Sequence, residues 1–444
     1  MKEEISISNG SDSYLERIFQ LTANGTNVKT EILAGVTTFV TMAYILFVNP
    51  ITLEAAKMDK GAVFMATALA SALTTLLMGV YANYPFALAP GMGLNAYFAY
   101  VMVGSAGLSW QTALGAVFVS GIIGIIVTLT GLRELLIKAI PMPLKNAMSA
   151  GIGMFIAFIG LKNAGIVIAN EATFVDLGNF TEPGPLLATI GLIIMAILVA
   201  RKVKGGILLG IIITTLIGIP MGITKLPESL ISLPPSIAPT FFKLDIAGVL
   251  KFSMFPVIFS LFFADMFDSI GTFVGVASRT GMIDEQGNLK RGNRALFVDF
   301  IGTVLGSLMG TSTITTYVES TAGVTEGGRT GLTSVVVAIL FVASIIFSPI
   351  ALAVPGEAVA PALILVGVFM ATSLNKIDFS DFYEAFPAFL TVIMMPLTYS
   401  ISFGLSIGFI AYAALMLLAG RGKEVHWIMY ALTVIFILYF ALIR

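Results

Sequence analysis

The sequence predicts an all-α polytopic membrane protein, and three observations carry that prediction. Of the 444 residues, 57% are hydrophobic and only 11% are charged, and the mean hydropathy is +0.97. A soluble domain holds about 25% charged residues. The apolar residues also fall into runs that are long enough to cross a bilayer, which takes about 20 helical residues. Acidic residues nevertheless interrupt several of these runs, and this indicates a polar cavity inside the bundle.

We place fourteen transmembrane spans along the chain, and the basic residues support their order. With the N-terminus in the cytoplasm, 17 of the 24 Lys and Arg residues lie on the inner side, six lie on the outer side, and Arg444 is unassigned. This is the bias expected of cytoplasmic loops. A further apolar run at 426–443 is long enough to span, but it could equally lie against the bundle. The predicted spans cover residues 31–50, 61–81, 87–104, 110–131, 144–162, 185–201, 205–223, 247–274, 293–309, 312–326, 330–348, 357–373, 383–400 and 402–420.

Fourteen spans divide into seven plus seven, and an odd number per half makes the halves inverted repeats. Residues 1–30 form a cytoplasmic tail without the pattern of a cleavable signal peptide. Residues 31–225 form the first repeat, residues 245–420 the second, and residues 421–444 a C-terminal apolar segment of open placement. Secondary transporters often use inverted repeats, and their substrates bind near the membrane midplane where broken segments meet.

The third span of each half, spans 3 and 10, has the composition of a broken segment. Residues 85–95 begin with an extended run rich in Pro and Gly, and residues 310–316 form a Thr-rich run of β character ahead of Glu319. Each predicts a short β-strand followed by a half-helix, which places unpaired N–H groups and a positive helix end inside the membrane. Such backbone is tolerated only where it lines protein or a water-filled cavity. We expect Asn95 and Glu319 to face each other there; a simple kink at Pro90 is the alternative.

Four acids lie in the interior of the predicted spans, away from the span ends: Asp265, Asp268, Asp299 and Glu319. A carboxylate at the bilayer centre costs roughly 2.5–3.5 kcal/mol on insertion scales, so these residues are candidates for function. Asp265 and Asp268 are three residues apart and therefore share a helical face. Two carboxylates that close do not both ionise readily at low dielectric, so the pair is a candidate proton carrier. Asp299 follows a basic loop, and we expect it to form a salt bridge near the inner surface.

Further candidates are hydroxyl and aromatic side chains close to these acids. The hydroxyl candidates are Thr315, Thr316 and Ser320, and the aromatic candidates for stacking are Tyr44, Phe86, Phe263 and Phe267. Glu326 and Arg329 are expected to close the cytoplasmic end of span 10. The chain has no cysteine and one histidine, His426, which excludes thiolate and multi-histidine metal sites. Its net charge of −1 offers no basic surface for nucleic acid.

Four motifs resemble one known family. They are GTNVKTEILAGVTTFVTMAYILFVNP at 25–50, APGMGLNAYF at 89–98, FADMFDSIGT at 263–272 and ESTAGVTEGGRTGL at 319–332. They are similar to the azaguanine-type (AzgA-like) purine permeases, which belong to the nucleobase–cation symporters with the uracil-permease fold. The likeness runs from about residue 15 to residue 420.

The resemblance implies a core of spans 1–4 and 8–11 and a gate of spans 5–7 and 12–14. It also implies proton symport of hypoxanthine, guanine or adenine in the cell membrane, without a cofactor, by a protein that forms a homodimer through its gate. By motif, Asn95, Asp265, Asp268 and Glu319 become substrate-binding residues. Some uracil-transporting relatives carry a histidine just after the span-8 acid, where this chain has Ser269, so a histidine-coupled proton step is not expected.

Taken together, the site residues expected around a purine are Glu319, Asp268, Asn95, Asp265, Thr316 and Phe267. Glu319 can accept two N–H groups from one purine edge. Asp268 is the substrate-side member of the acidic pair, and Asp265 is its partner or a stop for the coupling proton. With Glu319 they form the expected proton-coupling set.

Four alternatives stay open from the sequence. The same fold could carry another nucleobase, such as uracil or xanthine, or an inorganic anion, although an anion site calls for Lys or Arg at the midplane. A channel is disfavoured because two broken helices suit alternating access. A Mg²⁺-dependent intramembrane prenyltransferase would use an Asp-x-x-Asp motif, but it needs a second Asp-rich cluster that this chain lacks.

Overall fold

The fold is a bundle of membrane helices, seen in a computed structural model that describes residues 14–132, 136, 139–227, 229–251, 254–277, 282 and 291–443. Within these residues nine helices are long and apolar enough to cross a bilayer. A short helix at Tyr14–Phe19 occupies part of the predicted N-terminal tail. The rest of that tail, residues 1–13, lies outside the described residues. So do the unassigned Arg444 and five of the basic residues used for orientation: Lys2, Arg133, Lys138, Arg279 and Lys290.

Each of the fourteen predicted spans coincides with a helical segment. The first seven are Val28–Met42 with Ile45–Glu54 (span 1), Lys60–Leu77 with Met78–Ala82 (2), Met92–Ala96 with Tyr97–Ser105 (3), Trp110–Thr130 (4), Met142–Asn163 (5), Pro183–Ala200 (6) and Gly206–Gly218 (7). The second seven are Phe255–Ala277 (8), Gly292–Met309 (9), Ser320–Thr325 (10), Gly331–Ser344 with Ser348–Ala353 (11), Gly356–Ala371 (12), Phe382–Leu397 (13) and Ile401–Leu418 (14).

Helix packing follows the predicted seven-plus-seven repeat. Span 2 packs on span 11, and the counterpart contact joins span 9 to span 4. Span 1 packs on span 11 as span 8 packs on span 4, and span 5 packs on span 13 as span 12 packs on span 6. Span 2 also packs on span 9, its own counterpart in the other half, and span 5 packs on its counterpart, span 12. Contacts that exchange in this way are those expected when two equivalent halves are related by a twofold axis, and they confirm the predicted fold class.

The same packing separates a core from a gate. Spans 1, 2, 4, 8, 9 and 11 pack mainly on one another, and spans 5–7 and 12–14 do the same. The two groups meet along a narrower seam, where span 5 approaches spans 3 and 8 and span 12 approaches span 1. The described architecture thus agrees with the division that the family resemblance implies.

The broken segments meet at the centre of the core as a two-stranded antiparallel sheet. Strand β1 (Leu88–Pro90) pairs with strand β4 (Ile314–Thr316), and Ala89 lies opposite Thr315. This pairing satisfies backbone groups that lipid could not satisfy. Gly91 follows β1, and a Cβ there would lie 2.7 Å from the Thr315 methyl carbon, so the close strand approach requires glycine. A second two-stranded sheet is a hairpin of β2 (Val167–Asn170) and β3 (Phe174–Leu177), and it joins spans 5 and 6.

The C-terminal apolar run, left open by the sequence, forms a helix at Trp427–Ile443. It lies antiparallel along span 14, because Thr433 lies near Phe409 and Phe440 packs on Phe403 at a ring distance of 5.2 Å. Phe436 is fully buried between Phe409 of the gate and Phe259 of span 8. The centre of its ring lies 6.1 Å from that of Phe409 and 5.0 Å from that of Phe259. The helix therefore covers the seam between core and gate on one side of the molecule.

Replacing Phe436 should destabilise the protein much more than replacing a neighbour on the other face of the same helix. Phe436→Ala leaves a cavity between two aromatic rings and should lower the free energy of unfolding by on the order of 3 kcal/mol. Leu438→Ala is the control, since Leu438 is 47% exposed. Thermal unfolding of both variants in one detergent measures the difference; equal midpoints would show that the helix is not packed as described.

Candidate functional site

A cavity of about 100 Å³ lies where the two broken segments meet the gate. It is bounded by core side chains from spans 1, 3, 8 and 10 and by gate side chains from spans 5 and 12. We call it the central cavity. Its principal lining residues are Tyr44, Leu94, Asp268, Thr316, Tyr317 and Glu319 from the core and Ile152, Val366, Phe369 and Met370 from the gate.

Two of the predicted acids, Asp268 and Glu319, line this cavity together. They come from different halves of the repeat and face the same space. Tyr44 donates its hydroxyl proton to Oε1 of Glu319 at 2.5 Å, which fixes the orientation of that carboxyl group. Asp268 has no hydrogen-bond donor within the described part of the chain. The cavity therefore presents a fixed carboxyl group and an unsatisfied one, and none of the described Lys or Arg residues lines it.

Asp265 lies behind the cavity wall instead of beside Asp268. Its carboxylate accepts a hydrogen bond from the Thr303 hydroxyl at 2.9 Å, and its side chain is 1% exposed. Residues three apart on a helix are turned by about 60° from each other, and here that turn directs Asp265 toward span 9. The expectation that Asp265 contacts the substrate is therefore not matched by its position.

Asp299 is a correction to the sequence analysis, which expected a salt bridge near the inner surface. Asp299 is fully buried and accepts hydrogen bonds from the hydroxyls of Ser269, at 2.6 Å, and Thr316, at 2.9 Å. Ser269 also bonds to Thr315 at 2.8 Å. No described cation pairs with Asp299. The network ties span 9 to span 8 and to strand β4, so it supports the wall that carries Asp268 and Glu319.

Asn95 and Ser320 also differ from expectation. Asn95 is 1% exposed, and its Oδ1 accepts a hydrogen bond from the Ser312 hydroxyl, so it joins the two broken segments without lining the central cavity. Its Nδ2 has no partner within the described residues. The Ser320 hydroxyl accepts from the backbone N–H of Ala87 at 3.0 Å. Both side chains hold the crossing in place, and the structure does not bring Asn95 face to face with Glu319.

The aromatic walls of the cavity are only partly those expected. Phe267 lies outside it, with Nζ of Lys145 5.7 Å from the centre of its ring, and Phe86 is stacked on Tyr84 in the core. Phe263 packs on Phe259 and likewise does not line the central cavity.

Tyr44 alone among the aromatic candidates lines the central cavity. It presents its ring to the cavity and also donates a hydrogen bond to Glu319. Tyr317 and Phe369 were missed. Tyr317 follows strand β4 directly and donates to the Pro90 carbonyl at 2.6 Å, so its place in the broken segment was a usable signal. Phe369 comes from the gate, and no local pattern marks it.

Arg329 and Glu326, expected to close one end of span 10, lie at the C-terminal end of its helix and bond to other groups there. The Arg329 guanidinium donates to the Val324 carbonyl at 2.6 Å, at the end of span 10. Glu326 forms an ion pair with Lys204. Glu31, which the sequence analysis overlooked, is fully buried and accepts from the backbone N–H groups that begin span 11, including that of Arg329 at 2.8 Å. No cluster of three or more acidic or histidine side chains suited to a metal occurs within the described residues.

An inverted repeat with a cavity between core and gate at two broken segments defines the class of secondary membrane transporters. Comparison with known proteins gives the family. The model Xan_ur_permease, described as a permease family, matches residues 29–407, so the chain belongs to that family of nucleobase permeases. It is a multi-pass membrane transporter and not an enzyme, which excludes the prenyltransferase alternative.

The chain is similar to several permeases over nearly its whole length. A permease of Methanocaldococcus jannaschii is 53% identical, with 96% of this chain and 98% of the relative covered. The guanine/hypoxanthine permease PbuG of Bacillus subtilis is 47% identical, with 97% and 100% covered. The adenine permease AdeP of Escherichia coli is 43% identical, with 99% and 98% covered.

Solved structures share the fold at low sequence identity. The transmembrane domain of the cyanobacterial bicarbonate transporter BicA has a TM-score of 0.62 at 17% identity, with 86% of this chain and 97% of that chain covered. Murine Slc26a9, an anion transporter in an inward-facing state, has a TM-score of 0.64 at 12% identity, with 94% and 74% covered.

The buried hydroxyl network predicts that Asp299 is needed for stability. Asp299→Ala leaves two buried hydroxyl groups without an acceptor and should lower the free energy of unfolding by about 2 kcal/mol or more. The exposed Asp378→Ala, whose hydrogen bonds involve only the nearby Ser380 and Asp381 among the described residues, serves as the control. Thermal unfolding in detergent compares the two. An Asp299→Ala midpoint that matches the control would rule out this network as a support of the cavity wall.

Proposed function

We propose that this protein carries purine nucleobases across the membrane by proton symport with alternating access. One observation carries the proposal: two carboxyl groups from opposite halves of the repeat, Asp268 and Glu319, face one central cavity without a described cation beside them. The relatives named as guanine/hypoxanthine and adenine permeases, similar over nearly the full chain, favour a purine as the substrate.

The chemistry of the cavity fits the edge of a purine. Such a base is flat and neutral, and N–H groups lie on its edge. Glu319 is held by Tyr44 at Oε1, so it keeps acceptor capacity for N–H groups, and Asp268 offers a second acceptor when ionised. Tyr44, Tyr317 and Phe369 supply aromatic faces for the ring. A site of this kind rejects analogues that lack the N–H groups, because its own buried acceptors would stay unpaired.

Proton coupling follows from the same pair of acids. Two carboxylates that share a cavity of low dielectric repel each other, so the empty site favours one bound proton. We assign that proton to Asp268, which has no hydrogen-bond donor among the described residues, while Glu319 is committed to Tyr44. Asp265, bonded to Thr303 behind the wall, becomes a supporting residue in this scheme and no longer a substrate contact.

The conformation supports access from the side that the basic residues assign to the cytoplasm. Val318, at the broken segment of span 10, is 53% exposed and lines the cavity. Gly271, one turn past Asp268 toward that side, is exposed, and no atom of the described residues lies within 4 Å of a Cβ built on it. At the other end, core and gate are joined by Asn163, which donates to the Tyr100 hydroxyl at 2.6 Å. We therefore assign the structure to an inward-facing state with a cytoplasmic N-terminus, and we expect a homodimer through the gate.

An inorganic anion is the second candidate, since the structural neighbours include a bicarbonate transporter and an anion transporter. The central cavity argues against it, because two acids line the cavity and no Lys or Arg from the described residues does so. Uracil and xanthine are the other candidate substrates. Competition by unlabelled bases against the uptake of labelled hypoxanthine distinguishes them from hypoxanthine, guanine and adenine.

Removing either acid should strongly reduce transport while the protein stays folded. Asp268→Asn and Glu319→Gln should each lower hypoxanthine uptake by at least about tenfold, because a charge-assisted hydrogen bond contributes about 1.5–3 kcal/mol. Glu54→Gln is the matched control, since Glu54 lies on the surface with only a loose contact to Lys60 at 3.9 Å. Uptake into a transport-deficient host measures the effect; full uptake by either site variant would remove its role.

Proton coupling should appear as a pH dependence of accumulation. A more acidic outer medium should raise hypoxanthine accumulation, and an uncoupler should abolish it, because inward proton movement drives the base uphill. Asp268→Asn cannot release a proton, so any residual uptake should no longer be concentrative. Accumulation by the wild type that ignores both outer pH and the uncoupler would contradict proton symport.

A further inference from the structure

A second cavity, of about 320 Å³, lies on the seam between core and gate at the end opposite to the proposed cytoplasmic side. We call it the outer cavity. The core contributes Thr52 and Tyr100 to its lining, and the gate contributes Asn163, at the end of span 5, and Glu357, at the start of span 12. The transport scheme above leaves it without a role.

The outer cavity lies in line with the central cavity along the same helix faces. On span 12, Val366 and Met370 line the central cavity, and Val359 and Leu363, each seven residues earlier, line the outer cavity. Seven residues make nearly two full helical turns, so each pair shares a face and is separated by about 10 Å along the axis. Span 1 repeats the relation, with Tyr44 in the central cavity and Ile51 in the outer one. A substrate that enters from outside along this seam passes the outer cavity first.

The polar groups of the outer cavity are open toward a ligand. Tyr100 accepts a hydrogen bond from Nδ2 of Asn163 at 2.6 Å, and its own hydroxyl proton has no acceptor within the described residues. Asn163 keeps Oδ1 as an acceptor. The half-buried Glu357 carboxylate has no hydrogen-bond or ionic partner in the described chain. Thr52 is already committed, since its hydroxyl donates to the Val48 carbonyl at 2.8 Å.

This set of groups selects a chemical class. Glu357 and Asn163 Oδ1 accept N–H groups, and the Tyr100 hydroxyl donates to a carbonyl or a ring nitrogen. None of the described residues that line the outer cavity is Lys or Arg, so an anion finds no counter-charge there. The groups match a neutral heterocycle that carries N–H and C=O groups on its edge.

We propose that the outer cavity is a second binding site for a nucleobase, held by Glu357, Asn163 and Tyr100 on the entry path to the central cavity. This inference rests on the proposed function, because it assigns the same substrate class. Tyr100 belongs to the core and Asn163 to the gate, so the bond between them joins the two units at the outer end. A base bound here uses the Tyr100 hydroxyl proton and Asn163 Oδ1, which that bond leaves free, so the outer cavity holds the base at the seam while core and gate stay joined.

Equilibrium binding of labelled hypoxanthine to the purified full-length protein tests the proposal. The wild type should bind two bases per chain, and Glu357→Gln should bind one at the same concentrations. In uptake assays Glu357→Gln should raise KM about tenfold with a smaller effect on the maximal rate, because a hydrogen bond to a charged group is lost. Tyr100→Phe, which keeps the ring, should raise KM in the same direction. The matched control is Glu171→Gln, an exposed acid in the hairpin between spans 5 and 6.

The outcomes separate the two proposals. One base per chain in the wild type, together with a KM for Glu357→Gln that equals that of Glu171→Gln, overturns the outer site and leaves purine transport intact. No bound base and no uptake by the wild type overturns both. Thermal midpoints close to that of the wild type establish that a change in KM does not come from misfolding.

Discussion

The structure depends on how two interrupted segments satisfy their backbone inside a membrane. Lipid offers no hydrogen-bond partners, so an unpaired N–H or C=O group costs several kcal/mol there. Strands β1 and β4 meet this requirement by pairing with each other across the pseudo-twofold axis, with Ala89 opposite Thr315. Side chains complete the crossing, among them Ser312 with Asn95 and Ser320 with the N–H group of Ala87. The two equivalent halves place this crossing at the centre of the core, and the central cavity lies directly beside it.

Acidic residues within the bundle divide into two groups according to their surroundings. Asp299 and Asp265 accept hydrogen bonds from hydroxyls and lie behind the wall. Glu319 and Asp268 face the central cavity, and only Glu319 has a hydrogen-bond donor within the described residues, the Tyr44 hydroxyl. The first group holds spans 8 and 9 and strand β4 together, while the second presents acceptor oxygens to the central cavity. Burial alone therefore does not separate the acids that face the cavity from those that support its wall; their hydrogen-bond partners do.

The fold could be predicted from the sequence because its signals are local. Apolar runs mark the spans, and the Pro- and Gly-rich start of span 3 marks a strand and a half-helix. The site could be predicted only in part. Asp268 and Glu319 were found because a carboxylate in an apolar run is rare. The sequence could not show that Asp268 faces the cavity and Asp265 does not. Their spacing predicts a shared helical face, but it does not resolve the difference in direction around the helix axis that turns Asp265 toward span 9. Phe369 had no signal, because its place in the lining depends on how the gate docks against the core.

The claim on which the account rests is that Asp268 and Glu319 act on one bound base in one cavity. A double-mutant cycle tests it directly: hypoxanthine affinity is measured for the wild type, Asp268→Asn, Glu319→Gln and the double variant. Residues that share a ligand couple by about 0.5–3 kcal/mol, whereas independent sites add. The account predicts that the double variant loses less affinity than the sum of the single losses by about 1 kcal/mol or more. Strict additivity of the two losses would contradict it.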